Sequence, residues 1–235
     1  MRLICGALVF WFAALAQAAS AEPITLSGSA SLTSDYRFRG VSYSNGDPEV
    51  HVAAEATHSS GFYAGAWVGS VSGVRRAGAS AEADVYIGYH ITKGLLTYDA
   101  GVEYFAYPGA ASGRGISVVE PYASISGTLG ATTARLGIAY APRQGSATRD
   151  GLYSYAEVIQ PIPRTPVTLR AHLGHTLSAH GAQINAIDYG LSAEVVRGKI
   201  TFSLSYTGTD ISRARAGADY GNVRGGLVGG VGINF

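Results

Sequence analysis

The feature that most restricts this chain is an alternation of apolar and polar residues that recurs along nearly its whole length. In SAEADVYIGYHIT, Ala81, Ala83, Val85, Ile87, Tyr89 and Ile91 alternate with Glu82, Asp84, Tyr86, Gly88, His90 and Thr92. In KITFSLSYT, Ile200, Phe202, Leu204 and Tyr206 alternate with Lys199, Thr201, Ser203, Ser205 and Thr207. In PVTLRAHLGH, Val167, Leu169, Ala171 and Leu173 alternate with Thr168, Arg170, His172 and Gly174. Side chains of an extended strand point to opposite faces in turn, so each segment reads as a strand with one apolar and one polar face. The pattern recurs at 25–38, 48–58, 61–71, 80–92, 94–107, 115–127, 129–141, 151–161, 166–177, 186–197, 199–208 and 223–235. The two faces are least distinct in 61–71 and 115–127. This predicts about twelve strands, each close to the ~9–11 residues that a tilted strand needs to cross a bilayer.

The connections between strands alternate in length. RGVSYSNGD, SGVRRAGA, YPGAASGR, PRQGSATRDG, LSAHGAQINA and GTDISRARAGADYGN are long. SSG, TKG, GTLG, PIPRTP and RGK are short. Outer-membrane barrels have this rhythm, with long loops outside and short turns in the periplasm. An even strand number then puts both termini on the periplasmic side.

The N-terminus, MRLICGALVFWFAALAQAASAEP, reads as a secretory signal. Arg2 supplies the positive charge, and residues 3–16 form an apolar core too short to span a bilayer comfortably. Cleavage is expected after Ala18 or Ala21, so residues 1–21 are assigned to the signal and 22–235 to one barrel domain. The alternative is an uncleaved anchor. Cys5 lies at the start of the apolar core rather than behind it and leaves with the signal, so the mature chain has neither disulfides nor thiolate chemistry. No later stretch is apolar for long enough to be a transmembrane helix, so a membrane could hold the chain only through strands.

Periodicity alone does not say which face looks outward. A soluble sandwich or secreted barrel would also alternate, with its polar face out. Composition favours the membrane form. Charged residues make up 14% of the 235, against about 25% in ordinary soluble domains. The apolar faces carry Ala, Gly, Val, Leu and Tyr rather than bulky core packers. Tyr36, Phe38, Tyr63, Tyr104, Tyr107, Tyr140, Tyr153, Tyr155 and Tyr206 gather near strand ends, where aromatic girdles meet headgroups. The chain ends in GLVGGVGINF. Ile233 and Phe235 are expected to form a terminal signal read by the barrel-assembly machinery, although Gly229 stands where a polar residue is usual. Lys+Arg is 17 and Asp+Glu 16, so no charge balance points to nucleic acid.

One stretch is more specific. TSDYRFRGVSYSNGDPEV, with Asp35, Tyr36, Arg37, Phe38, Arg39, Gly40, Asn45, Gly46, Asp47 and Pro48, resembles the TorF-type porin family, as does GFYAGAW at 61–67. ADVYIGYHI, TYDAGVEYFAYPG, SYAEV and DYGLSAEV fit the same family, so the resemblance spans most of the mature chain and is strongest at its start. It implies an outer-membrane β-barrel of Gram-negative bacteria that acts as a pore. Read physically, Tyr36 and Phe38 are expected in the outer girdle, with Arg37 and Arg39 pointing into the pore mouth. Asn45-Gly46 is a turn former, and Pro48 begins a strand without needing a ladder N–H. A loop that sets the first hairpin explains the motif more simply than a ligand site.

If the apolar face meets lipid, the polar face lines the lumen. It then carries Glu49, His51, Glu55, Glu82, Asp84, Asp99, Glu103, Glu120, Glu157, Asp188 and Glu194, joined by Arg135, Arg170, His172, Lys199 and Arg224. Acids outnumber bases, which predicts weak cation preference; the charges could equally pair across the lumen and only stabilise it. About twelve strands lie between the filled eight-stranded barrel and the open porin, so a narrow channel for ions and small hydrophilic solutes is expected. Plugging by side chains or an inward loop remains open. A lipid-modifying enzyme is the rival class, but no Ser or His sits in a nucleophile elbow, and His58 and His175 read as interfacial. No metal or cofactor motif is present. An adhesive or structural barrel is the third class. Its basic loop residues Arg75, Arg76, Arg213 and Arg215 could meet lipopolysaccharide, though ordinary solvation explains them.

Overall fold

The alternating segments pair with their sequence neighbours. A computed structural model describes residues 24–72, 77–111, 116–145, 149–178 and 185–235. The expected signal at 1–21 with its cleavage sites, and Arg75 and Arg76, lie outside the described residues. The strands are β1 (Ile24–Thr33), β2 (Arg37–Phe38), β3 (Val41–Ser42), β4 (Glu49–His58), β5 (Phe62–Ser70), β6 (Ala81–Lys93) and β7 (Leu96–Ala106). They continue as β8 (Val118–Leu129), β9 (Thr132–Ala141), β10 (Gly151–Pro161), β11 (Val167–Ser178), β12 (Ala186–Arg197), β13 (Ile200–Thr209) and β14 (Gly226–Asn234).

Twelve of these strands close into one antiparallel barrel: β1 bonds to β4, each later strand bonds to the next, and β14 returns to β1. Strands β2 and β3 pair only with each other. Short turns occupy one rim, where Gly94, Gly130 and Gly198 have φ of +61°, +62° and +61°. Two-residue hairpins need a positive φ there, and glycine supplies it without steric cost. Long connections occupy the other rim. The longest carries two helical turns, α1 (Arg213–Ala216) and α2 (Tyr220–Val223), where alternation indicated only a loop. No helix among the described residues is long and apolar enough to cross a membrane.

The outer face is apolar and exposed. Leu26, Leu136, Leu191, Phe202, Leu204 and Leu227 are each at least half accessible, whereas the carboxylates at alternate positions are buried. A soluble sandwich has the opposite arrangement, so the structure excludes that alternative.

Inside, tyrosines oppose glycines. Tyr63 faces Gly88 and Tyr86 faces Gly65 across β5–β6. Tyr122 faces Gly101 across β7–β8, and Tyr155 faces Gly137 across β9–β10. In each pair the phenol ring covers the space a β-carbon would take. This corrects the expected girdle. Tyr104, Tyr140 and Tyr206 do face outward, but Tyr36, Tyr63, Tyr107 and Tyr153 are buried. Phe38 and Tyr155 are half-buried against the interior clusters. A barrel of this width needs large side chains within it, and glycine on the next strand makes room for them.

The first strand also departs from expectation. Alternation continues to residue 38, but β1 stops at Thr33. Beyond it the chain turns into the barrel. Tyr36 packs on Trp67, ring centroids 5.2 Å apart, and Phe38 packs edge-on to Phe105 at 5.6 Å. On the opposite side Val41 is buried with Ala186, Ile211 and Val223. The segment 34–48 is therefore a hairpin wedged across the mouth between two apolar clusters.

Candidate functional site

The hairpin is organised by Asp35. Its carboxylate accepts from Arg37 Nε at 2.6 Å, Ser42 Oγ at 2.5 Å and Ser44 Oγ at 2.9 Å. Ser44 Oγ in turn accepts from the Tyr36 amide at 2.9 Å. The turn of the hairpin is Arg39-Gly40, with φ of +49° and +76°, the signs that a type I′ turn requires at both central residues. Gly40 lies so close to the β13 backbone that a β-carbon would strike the carbonyl of Gly208.

Two arginines anchor this hairpin. Arg37 donates to the carbonyl oxygens of Arg224 at 2.7 Å and of Gly40 and Thr207 at 3.3 Å. Arg224 lies just before β14, beyond the point where pairing with β1 ends at Thr33 and Gly230. Arg39 crosses to the other wall, where its guanidinium donates to both carboxylate oxygens of Glu120. The same guanidinium lies 4.0 Å from the Tyr153 ring centroid and 4.7 Å from that of Phe38. The expectation for this motif is corrected: its aromatics are not girdle residues, and its arginines reach the interior on a folded-in hairpin.

The inner wall divides into three sectors. Strands β4 to β8 turn Glu49, Glu55, Glu82, Asp84, Asp99, Glu103 and Glu120 inward, all buried, and no lysine or arginine faces inward from these strands. Phenols and hydroxyls donate to several of them. Tyr86 and Thr57 reach Glu55 at 3.0 Å. Tyr63 reaches Asp99 at 2.7 Å, Tyr107 reaches Glu82 at 3.2 Å, and Thr33 reaches Glu49 at 3.0 Å. His51 Nδ1 is 2.9 Å from Glu49.

Strands β9 to β12 mix the signs. Glu157 lies 3.4 Å from Arg135 and 2.8 Å from Arg170, and Arg170 is 4.0 Å from Glu194. His172 Nε2 is 3.0 Å from Asp188, which also accepts from Tyr153 at 3.1 Å. Strands β13, β14 and β1 form an uncharged wall where Ser29, Ser31, Thr33, Thr201, Ser203, Ser205 and Thr209 are buried. Five adjacent strands of the twelve therefore carry charge of one sign on their inner face. A cavity of about 160 Å³ adjoins the hairpin tip, lined among others by Arg39, Glu120, Arg135, Tyr153 and His172.

Fourteen of the residues expected on the inner face share this interior: Glu49, His51, Glu55, Glu82, Asp84, Asp99, Glu103, Glu120, Arg135, Glu157, Arg170, His172, Asp188 and Glu194. Two do not. Lys199 is exposed in the turn between β12 and β13, and the exposed Arg224 precedes β14, contributing only its carbonyl to Arg37. Both sit one or two residues beyond a strand end, where alternation no longer sets direction. Ile233 and Phe235 are exposed on the outer side at the end of β14. His58 is exposed and bonded to Ser60, and His175 is half-buried against Asn185. Arg213 and Arg215 are exposed, Arg213 over the Tyr220 ring and Arg215 on the Asn185 carbonyl. Among the described residues no group of three or more His, Cys, Asp or Glu is placed to hold a metal. Sequence reasoning missed the interior phenols; tyrosine opposite glycine would have marked them once the register was known.

The fold is that of outer-membrane porins. The KdgM porin superposes with a TM-score of 0.61 at 9% identity, covering 89% of this chain and 98% of its own. The NanC porin gives 0.59 at 12% identity, with 90% and 99% covered. An outer-membrane channel of Pseudomonas putida F1 gives 0.53 at 12% identity, with 92% and 96% covered. No curated protein matches the chain. Residues 17–225 match the family described as "Bacterial protein of unknown function (Gcw_chp)", and the chain belongs to that family.

Proposed function

We propose that this protein is an outer-membrane porin: a narrow channel for ions and small hydrophilic solutes, with weak cation preference and no enzymatic activity. The observation that carries the reading is the inversion of the two faces. Ten strand carboxylates are buried inside the barrel while leucines, valines and isoleucines stand exposed outside, an economy that only a lipid surround makes favourable. The porin fold supports the same reading, as does the resemblance of the first loop to TorF-type porins. The carboxylates outnumber the inward strand arginines, Arg135 and Arg170, which supports cation preference. The partners follow from this location: outer-membrane lipid, lipopolysaccharide against the exposed long loops, and the assembly machinery at β14.

The hairpin wedged across the mouth favours a second reading, a closed barrel with a structural or adhesive role. Currents across a planar bilayer under a KCl gradient separate the two, using refolded protein whose folding is checked by heat-modifiable gel mobility. The channel reading expects discrete steps that reverse toward the cation potential. It expects larger steps from Arg37→Ala, because that variant loses the bonds holding the hairpin to Asp35 and the Arg224 carbonyl. Silence from both proteins would overturn it in favour of the closed barrel, and reversal toward the anion potential would overturn the cation preference.

A further inference from the structure

Glu103 and Glu120 occupy directly opposed positions on β7 and β8. Both are buried, at 3% and 7% exposure. Like charges placed so are unfavourable in a sheet. The relief comes from outside the wall, as Arg39 delivers its guanidinium to Glu120 from the tip of the inserted hairpin. We propose that Glu120, Tyr153 and Phe38 form a binding seat for an organic cation of the guanidinium class, with Arg39 as its resident occupant. A solute of that class competes with Arg39 for the seat. This rests on the channel reading, since a solute must be able to enter the lumen.

Two independent observations point to a ligand seat rather than a simple clamp. The first is the recognition geometry. One guanidinium engages a carboxylate with two of its nitrogens and lies over an aromatic ring at 4.0 Å. The carboxylate reads the fork of donors and the ring reads the face of the cation, so planar nitrogen cations are preferred over compact hydrated ones. The cavity of about 160 Å³ beside the tip leaves room for an incoming molecule.

The second is the backbone. Arg39 holds φ at +49° in the first central position of a type I′ turn. Asparagine, aspartate and glycine suit that position, and the next turn along the hairpin uses Asn45-Gly46. A bulky side chain at such a position is strained, and persists where the surrounding contacts require it. The turn would form more readily without Arg39; the contacts its side chain makes are what account for it.

The test is calorimetric titration of methylguanidinium into the refolded barrel in detergent micelles. Arg39→Gly keeps the turn, since glycine accepts the positive φ, and empties the seat. A tethered side chain competes at an effective concentration of about millimolar, so Arg39→Gly should bind methylguanidinium at least about tenfold more tightly than the parent. Adding Glu120→Gln should abolish the gain. If that double variant does not fold by gel mobility, Tyr153→Leu in the Arg39→Gly background should abolish it instead. Sodium at the same concentration should not displace the probe. Equal affinity in the parent and in Arg39→Gly would overturn the proposal. So would a gain that survives loss of both Glu120 and Tyr153, or displacement by sodium. Binding is read without current, so a silent bilayer and an empty seat remain separate failures.

Discussion

Tyr122 stands directly across the β7–β8 ladder from Gly101, and its phenol covers the ground where a β-carbon on that residue would lie. From there its hydroxyl meets Tyr63 at 2.8 Å, and Tyr63 donates to Asp99 at 2.7 Å. The glycine thus seats a phenol relay that donates to one oxygen of a buried carboxylate. Gly101→Val should push the ring off its position, at a cost of about 1–3 kcal/mol for overpacking. Urea unfolding of the refolded barrel would show the lowered midpoint. Gly229→Ala is the matched control, because nothing lies within 4 Å of the added carbon. Equal midpoints for the two would mean that the rings are not seated by the glycines.

Leu136 lies near the middle of β9 and is 60% exposed on the outer face. Placed in a bilayer it would sit near the hydrocarbon midplane, where Leu136→Arg should cost about 2–4 kcal/mol. Leu129, at the turn end of β8 and 82% exposed, should tolerate arginine at about 0–1 kcal/mol. Folding titrations in phosphatidylcholine vesicles measure both. Similar costs at the two sites would argue against a lipid-facing surface.

Asp150, in the connection between β9 and β10, accepts from the Tyr140 hydroxyl at 2.7 Å and the Arg143 amide at 2.8 Å. Those two hydrogen bonds, the first the stronger influence, hold its carboxyl below the ordinary value. A group depressed on folding stabilises the loop above its unfolded pKa of about 3.9 and loses that contribution as pH falls through the folded value. A carboxyl NMR titration in micelles should therefore show a midpoint below about 3.9, moving upward in Tyr140→Phe. An unchanged midpoint in that variant would remove the tyrosine from the account.

Strand number, order and the two unequal rims were all legible, because a sheet has a side-chain period of two and antiparallel neighbours need only short links. The inward direction of the carboxylates followed from the same period once the outer face was taken as apolar. The path of residues 34–42 was not legible. Tyr36 and Phe38 keep alternating with Arg37 and Arg39 past the true end of β1, so the pattern does not register the break. What turns the chain is Asp35 gathering Arg37, Ser42 and Ser44, together with ring contacts to Trp67 and Phe105. These are tertiary facts. The tyrosines failed for a related reason: a phenol suits a headgroup interface and a polar lumen equally well, and only cross-strand register reveals the glycine that makes space for it.

The hairpin hangs from the seam at which the barrel closes. Its root pairs Ser34 with Gly229 on β14, and Arg37 binds the carbonyl of Arg224 just before that strand. The first long loop packs on β5, β7 and β8 as well, but it can complete its docking ground only after the last strand has arrived, 195 residues further along the chain. Closure of the cylinder and stoppering of its mouth become one event in time. Until that moment the hairpin lacks the partners of its root, so the last residues of the chain decide when its first loop is locked in place.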